Sequence, residues 1–205
     1  MRWWAALACA ILAGTWLGPL PALARDSFSA HMAMHMLVVA VAAPLLALAL
    51  AGRRFAFGRL PPWIFAPIPA SLVELVVVWT WHAPALHHAA RFDRLIFSIE
   101  QATFLAAGLL LWFSALGGGA LRTANRAGAG VVALLLTSMH MTLLGALLAL
   151  SPRPLYVHDA GGPLSAIDDQ HLGGAIMLVV GGASYLLGGV ALTIALFRRA
   201  SLERT

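Results

Sequence analysis

The chain has 205 residues, 61% of them hydrophobic and 10% charged, with a formal net charge of +5. A soluble domain carries roughly 25% charged residues, so the composition excludes an ordinary water-soluble fold and indicates a polytopic membrane protein. All 13 basic residues are Arg; no basic run is interleaved with exposed aromatics, so the charge is read as anchoring of spans in a lipid bilayer and nucleic-acid binding is excluded.

The first apolar segment, about residues 3–24, follows a short positive region at Arg2. Pro19 and Pro21 break it late, and Ala22-Leu23-Ala24 has the form of an A-x-A cleavage site. Residues 1–24 are therefore either a signal peptide or a first transmembrane helix, and both readings stand. Cys9 is the lone cysteine, so no internal disulfide, CxxC pair or thiolate metal site can form. Five further spans are predicted, at about 28–51, 63–82, 94–116, 127–150 and 171–197. Each holds about 20 residues or more, enough to cross the hydrocarbon core. The predicted fold class is all-α, a polytopic transmembrane helix bundle of five spans plus an N-terminal signal peptide or sixth span. Residues 25–199 form the membrane domain and 200–205 a short tail.

Arginine placement orients the bundle. Arg2, Arg53, Arg54, Arg59, Arg122, Arg126, Arg198, Arg199 and Arg204 fall on one side, and Arg25, Arg91, Arg94 and Arg153 on the other. The positive-inside rule puts the larger group, and the C-terminus, in the cytoplasm. Leu60-Pro61-Pro62 and Gly117-Gly118-Gly119 then read as cytoplasmic turns. The longest external loop, residues 151–170, holds Pro152, Pro154, Gly161, Gly162 and Pro163 and reads as a lid-like segment without regular structure. His87 and His88 fall in another external loop and are expected to be solvated.

Ionisable groups recur at a common depth. Counting inward from the outer ends, His35 lies roughly 10 Å down, Glu74 roughly 12 Å, Glu100 roughly 9 Å and His140 roughly 15 Å. Each alone in lipid would cost several kcal/mol, so they are expected to face one another. His31 and His35 are four apart and share a helix face, with Met32 and Met36 on the adjacent one. Met139-His140-Met141 repeats the pattern later. Imidazole with thioether suits copper or haem iron better than calcium or magnesium. The candidate metal ligands are His31, His35, His140, Met36, Met141, His82 and His171. Glu74, Glu100 and Asp169 are candidate carboxylates that orient the imidazoles. An ordinary reading stands beside this one: His31 interfacial, His35 bonded to a carbonyl or a Glu, the methionines filling the core, and Asp168 or Asp169 serving as an N-cap.

The order of these pieces resembles the multispan CtaG family of cytochrome c oxidase assembly factors. The resemblance rests on His31-x3-His35-Met36-Leu37 with Pro44 deeper in the same span, Trp81-His82-x-Pro84, Glu100 followed by Phe104 and Trp112, His140, and Asp169-Gln170-x-Leu172-Gly173-Gly174. It covers about residues 28–197. The family often has a His directly after the Glu of the fourth span, where this chain has Gln101. An unrelated single-span copper chaperone of the same name uses a cysteine pair, which this chain lacks.

The resemblance implies a bacterial inner-membrane assembly factor acting on a haem-copper oxidase subunit. It further implies action at the copper centre of the oxidase's catalytic subunit; the histidine and methionine inventory is compatible with this, since outward-facing ligands suit uptake of copper from a periplasmic copper donor. Two alternatives remain in view: a b-type haem protein with His35 and His140 as axial ligands, and a proton or metal transporter using Glu74, Glu100 and the histidines. Against transport, the cytoplasmic halves of the spans, such as 45–51 and 105–111, are apolar. No GxSxG, phosphate loop or zinc-protease motif is present, so no catalytic residue and no enzyme activity is expected.

Overall fold

Helix boundaries follow the local capping chemistry. In the computed structural model, which describes residues 2–51, 62–116, 124–156 and 164–202, every regular element among the described residues is helical. Helices α1 (Arg2–Leu17) and α2 (Leu20–Asp26) meet at a bend of 48°; Pro19 lies in the break and has no N–H to carry the ladder through. Ser27 ends α2 and caps α3 (Phe28–Met36), its hydroxyl accepting from Ala30 N at 3.2 Å. A π-helical turn (Leu37–Ala42) joins α3 to α4 (Ala43–Leu50), giving one 23-residue span.

A 3₁₀ turn (Pro62–Phe65) precedes α5 (Pro67–Trp81). The next helix, α6 (Pro84–Phe92), starts on a proline with its φ already helical. Asp93 Oδ1 then accepts from Leu95 N at 2.7 Å and Ile96 N at 3.0 Å, opening α7 (Arg94–Leu116). After α8 (Ala124–Ala149), Ser165 caps α9 (Ala166–Ile176) by accepting from Asp168 N. A second π turn (Met177–Gly181) leads into α10 (Gly182–Leu202).

Among the described residues, four helical stretches are long and apolar enough to cross a bilayer, and the bent α1–α2 pair meets the same length and composition test when its two helices are taken together as one span. The predicted bundle therefore stands, with three corrections. The span expected at 63–82 is a 15-residue helix, α5, about 22 Å long at 1.5 Å per residue. The last span begins at Ala166 instead of His171, because its cap is Ser165. The loop expected to hold solvated His87 and His88 is helix α6, which buries His87 and exposes His88. The turns at 60–62 and 117–119, the arginines at 53, 54, 59 and 122 and the middle of the 151–170 loop lie wholly or largely outside the described residues.

The core runs along α3 and its π turn, with Phe28, Val38, Val39, Phe104, Leu134 and Tyr185 fully buried. Leu72, Val76, Leu95, Val179, Leu187 and Phe197 point outward, a surface suited to lipid and not to water. α1 is part of the packed body: Ala8 and Thr15 are buried, and Leu12 and Trp16 lie against the core.

Two glycines let α8 and α9 touch backbone to backbone. A Cβ on Gly145 would stand 2.7 Å from Leu178 N and 2.9 Å from Gly174 O, and one on Gly174 would overlap the Ala149 backbone. Small residues at such crossings are how membrane helices gain close packing. Gly174→Val is expected to destabilise the bundle by about 1–3 kcal/mol through overpacking, read as a lower thermal midpoint of the detergent-solubilised protein.

Candidate metal centre

His31 and His35 sit on one face of α3 because they are four residues apart, and Glu100 of α7 lies between them. His31 Nε2 is 3.2 Å and His35 Nε2 3.6 Å from the same carboxylate oxygen, Glu100 Oε1. All three side chains are 0–1% exposed, and one ligand atom from each lies within 4.8 Å of the other two. The second oxygen of Glu100 accepts from Gln101 Nε2 at 3.3 Å, and Gln101 Oε1 accepts from Trp16 Nε1 at 3.1 Å. Gln101, the residue that departs from the family pattern, therefore steadies the carboxylate and ties it to α1.

A carboxylate in this setting carries a desolvation cost of several kcal/mol unless it is paired. His31 and Gln101 supply hydrogen bonds, whereas His35 makes none at either ring nitrogen and packs on Phe104, with ring centroids 4.1 Å apart. Two nitrogens and an oxygen form a donor set for copper, zinc or iron. With bonds of about 2.0–2.1 Å, two ligand atoms on one metal can be at most about 4.2 Å apart. The two His–Glu separations already meet that limit.

Aromatic and imidazole rings close the site toward the end of the bundle where α3, α7 and α9 begin. His87 stands edge-on to His31 at 4.5 Å and to Tyr156 at 4.7 Å. Burial, reinforced by the neighbouring His31, holds the His87 imidazole well below its usual pKa. Tyr156 stacks on Phe28 at 4.3 Å and donates to His82 O at 2.5 Å; burial pushes its phenol up. Gln170 anchors the segment carrying Tyr156, accepting from Leu155 N at 2.6 Å and donating to Leu148 O at 3.2 Å. A shallow cavity of about 40 Å³, lined by Arg25, Arg91, Arg94 and Asp93, reaches His31 from this end. Arg91 is held there by donating from Nε to Arg25 O at 2.7 Å, with a second bond from Nη2.

The remaining sequence candidates go elsewhere. Glu74 hydrogen-bonds no histidine: it accepts from Tyr185 Oη at 2.5 Å, and that hydroxyl also lies 3.4 Å from Val39 O, the acceptor of Trp112 Nε1. His140 is buried without a hydrogen bond at either nitrogen and lies outside the His31/His35/Glu100 group. His171 Nε2 donates to Ser151 O at 2.9 Å. Met36 and Met141 meet against Gly181 in the second π turn. The expected convergence of four ionisable groups thus reduces to His35 with Glu100, because depth along a helix does not fix which way a side chain faces. His82 stays near, its ring 5.8 Å from that of His35.

Asp169 neither orients an imidazole nor caps its own helix. It accepts from Phe28 N (2.5 Å), Ser29 N (3.2 Å), Ser27 Oγ (3.0 Å) and Ser29 Oγ (2.5 Å), so it caps α3 from α9. Gln101, Phe104, Tyr156, Gln170 and His87 were not legible as parts of the site. His87 had a usable signal: Pro84 is a helix start, and three residues on from it a side chain turns to one face.

The sequence profile of the cytochrome c oxidase caa3 assembly factor family (Caa3_CtaG) matches residues 1–199. The chain belongs to that family. No curated protein and no solved structure matches it. As a caa3 assembly factor it serves maturation of a cytochrome c oxidase, and its apolar helices make it a multi-pass membrane protein. Among the assembly factor's buried polar groups, His31, His35 and Glu100 form one cluster, and Asp169, Gln170 and Tyr185 bond neighbouring helices or segments together. Asp169→Ala removes four acceptor contacts at the start of α3. A loss of about 1–3 kcal/mol is expected, seen as early unfolding and faster amide exchange at 27–30.

Proposed function

We propose that this assembly factor carries copper to the oxidase, holding the ion as cargo on His31, His35 and Glu100. The carrying observation is the meeting of these three buried donors within 4.8 Å, with both ring nitrogens of His35 free of hydrogen bonds. Buried polar atoms are normally satisfied, so a ring left bare beside a carboxylate has the form expected of a ligand set awaiting its ion. The His31–Glu100 contact and the Gln101 bond hold the carboxylate without closing the set.

Orientation follows from the arginines: the end carrying the cluster faces the periplasm of a bacterial inner membrane, and the C-terminus lies in the cytoplasm. Arg25, Arg91 and Arg94 line the cavity above His31. A positive rim repels a free cation and attracts an acidic protein surface, which supports delivery by a periplasmic copper donor. Transfer onward to the copper centre of the oxidase's catalytic subunit is ligand exchange: an incoming imidazole or thiolate replaces His35, the ligand with no hydrogen bond to break.

Space favours an ion over haem. His35 Nε2 lies 3.6 Å from Glu100 Oε1 and Phe104 packs on the His35 ring, which leaves a gap for an ion and none for a macrocycle at that nitrogen. The packing of α1, with Trp16 bonded to Gln101, supports retention of residues 1–24 as a helix.

His35→Ala and Glu100→Gln are expected to weaken copper binding by the detergent-purified protein at least about tenfold and to lower copper occupancy of the oxidase in cells. Full occupancy in both variants would overturn the reading. Mass spectrometry of the intact mature protein is expected to include residues 1–24; a mass beginning at Arg25 would show cleavage instead.

A further inference from the structure

His82 closes α5 and faces Met32 of α3. Its Nδ1 is 2.7 Å from Val78 O. A carbonyl only accepts, so Nδ1 carries the proton, and in the neutral ring Nε2 is then a bare lone pair. That lone pair points at Met32 Sδ, 3.3 Å away. A thioether has no proton to donate. Two electron-pair donors therefore face each other across a buried gap, with Met32 1% and His82 6% exposed. Nothing in the neutral protein makes that approach attractive; a cation between them does.

The spacing is that of two ligands on one ion. With metal–nitrogen and metal–sulfur bonds of about 2.0 and 2.3 Å, an N···S separation of 3.3 Å corresponds to an angle at the metal of about 100°, near tetrahedral. Thioether sulfur is a soft donor that selects Cu(I), whereas carboxylate suits harder ions. The second-neighbour groups are also fixed. Tyr156 Oη holds the His82 carbonyl at 2.5 Å, and Met32 lies against Gly173 of α9, where an added Cβ would stand 3.0 Å from its Cγ.

We infer that Met32 Sδ and His82 Nε2 form a soft binding site for Cu(I) beside the His31/His35/Glu100 cluster, its ring 5.8 Å from that of His35. The inference rests on the copper-carrying reading and adds the oxidation state and a second station. Cuprous ion seats on the nitrogen–sulfur pair, and His35, whose ring nitrogens make no hydrogen bond, is positioned to accept it next. No electron is gained or lost; one set of donor bonds replaces another.

The test uses full-length, selenomethionine-labelled protein in detergent, titrated anaerobically with Cu(I) against a cuprous chelator and followed by X-ray absorption at the copper and selenium edges. Copper–selenium scattering is expected in the parent protein. Met32→Leu, close in volume, is expected to abolish that scattering and to weaken Cu(I) binding at least about tenfold. Met34→Leu, which removes another buried thioether of the same helix, is expected to change neither and so controls for folding. Copper bound by nitrogen and oxygen alone, with Met32→Leu binding as tightly as the parent, overturns the soft site and leaves the His31/His35/Glu100 reading standing. A parent protein that binds Zn(II) and no Cu(I) also overturns it, and means that His82 simply carries a proton toward Met32. The copper-carrying reading itself falls if oxidase copper occupancy is full in both His35→Ala and Glu100→Gln cells.

Discussion

A carboxylate buried among apolar helices cannot stand alone, and the cluster side of this bundle is arranged around that constraint. Glu100 is hydrogen-bonded on one oxygen by His31, with His35 Nε2 3.6 Å from the same atom, and on the other by Gln101. Those contacts fix the rotation of α3 against α7. Through Trp16 they also bring α1 into the same unit. An apolar residue in place of Glu100 would pack more cheaply, since breaking even on a buried ion pair is difficult.

Rigidity around the cluster comes from polar groups that do other work. Asp169 caps α3 from across the bundle, so the helix carrying both histidines is held at its first turn by the last span. Gln170, the next residue, holds the segment that lowers Tyr156 onto Phe28 and His82. Deeper in, the π turn at 37–42 presents Val39 O to Trp112 and Tyr185 and Ala40 O to Ser184. π turns are rare and collect at functional sites; here one lies directly after Met36, and Met36 packs on the second, at Gly181.

Much of the cluster was readable in advance because helix geometry is regular. The four-residue spacing of His31 and His35 put them on one face, and the depth of Glu100 put it at their level. The same arithmetic did not place Glu74 or His140 in the cluster: Glu74 bonds Tyr185, a partner 111 residues away, and His140 lies outside the three-donor group. Asp169 has the composition of an N-cap and is one, but for another helix. Met32 read as filler, and only its distance to His82 gave it a chemical role.

Composition, hydropathy and arginine placement by themselves determined an all-helical membrane bundle, because lipid permits only internally bonded backbones and a 20-residue apolar run has few other uses. Spacing within a helix likewise determined the His31–His35 pair. Which helices meet, and with which faces, was decided only by tertiary packing. Close approaches such as Gly145 against Gly174 and reciprocal bonds such as Asp169 to Ser27–Ser29 link residues from distant parts of the chain, and no local period encodes the rotation of one span against another.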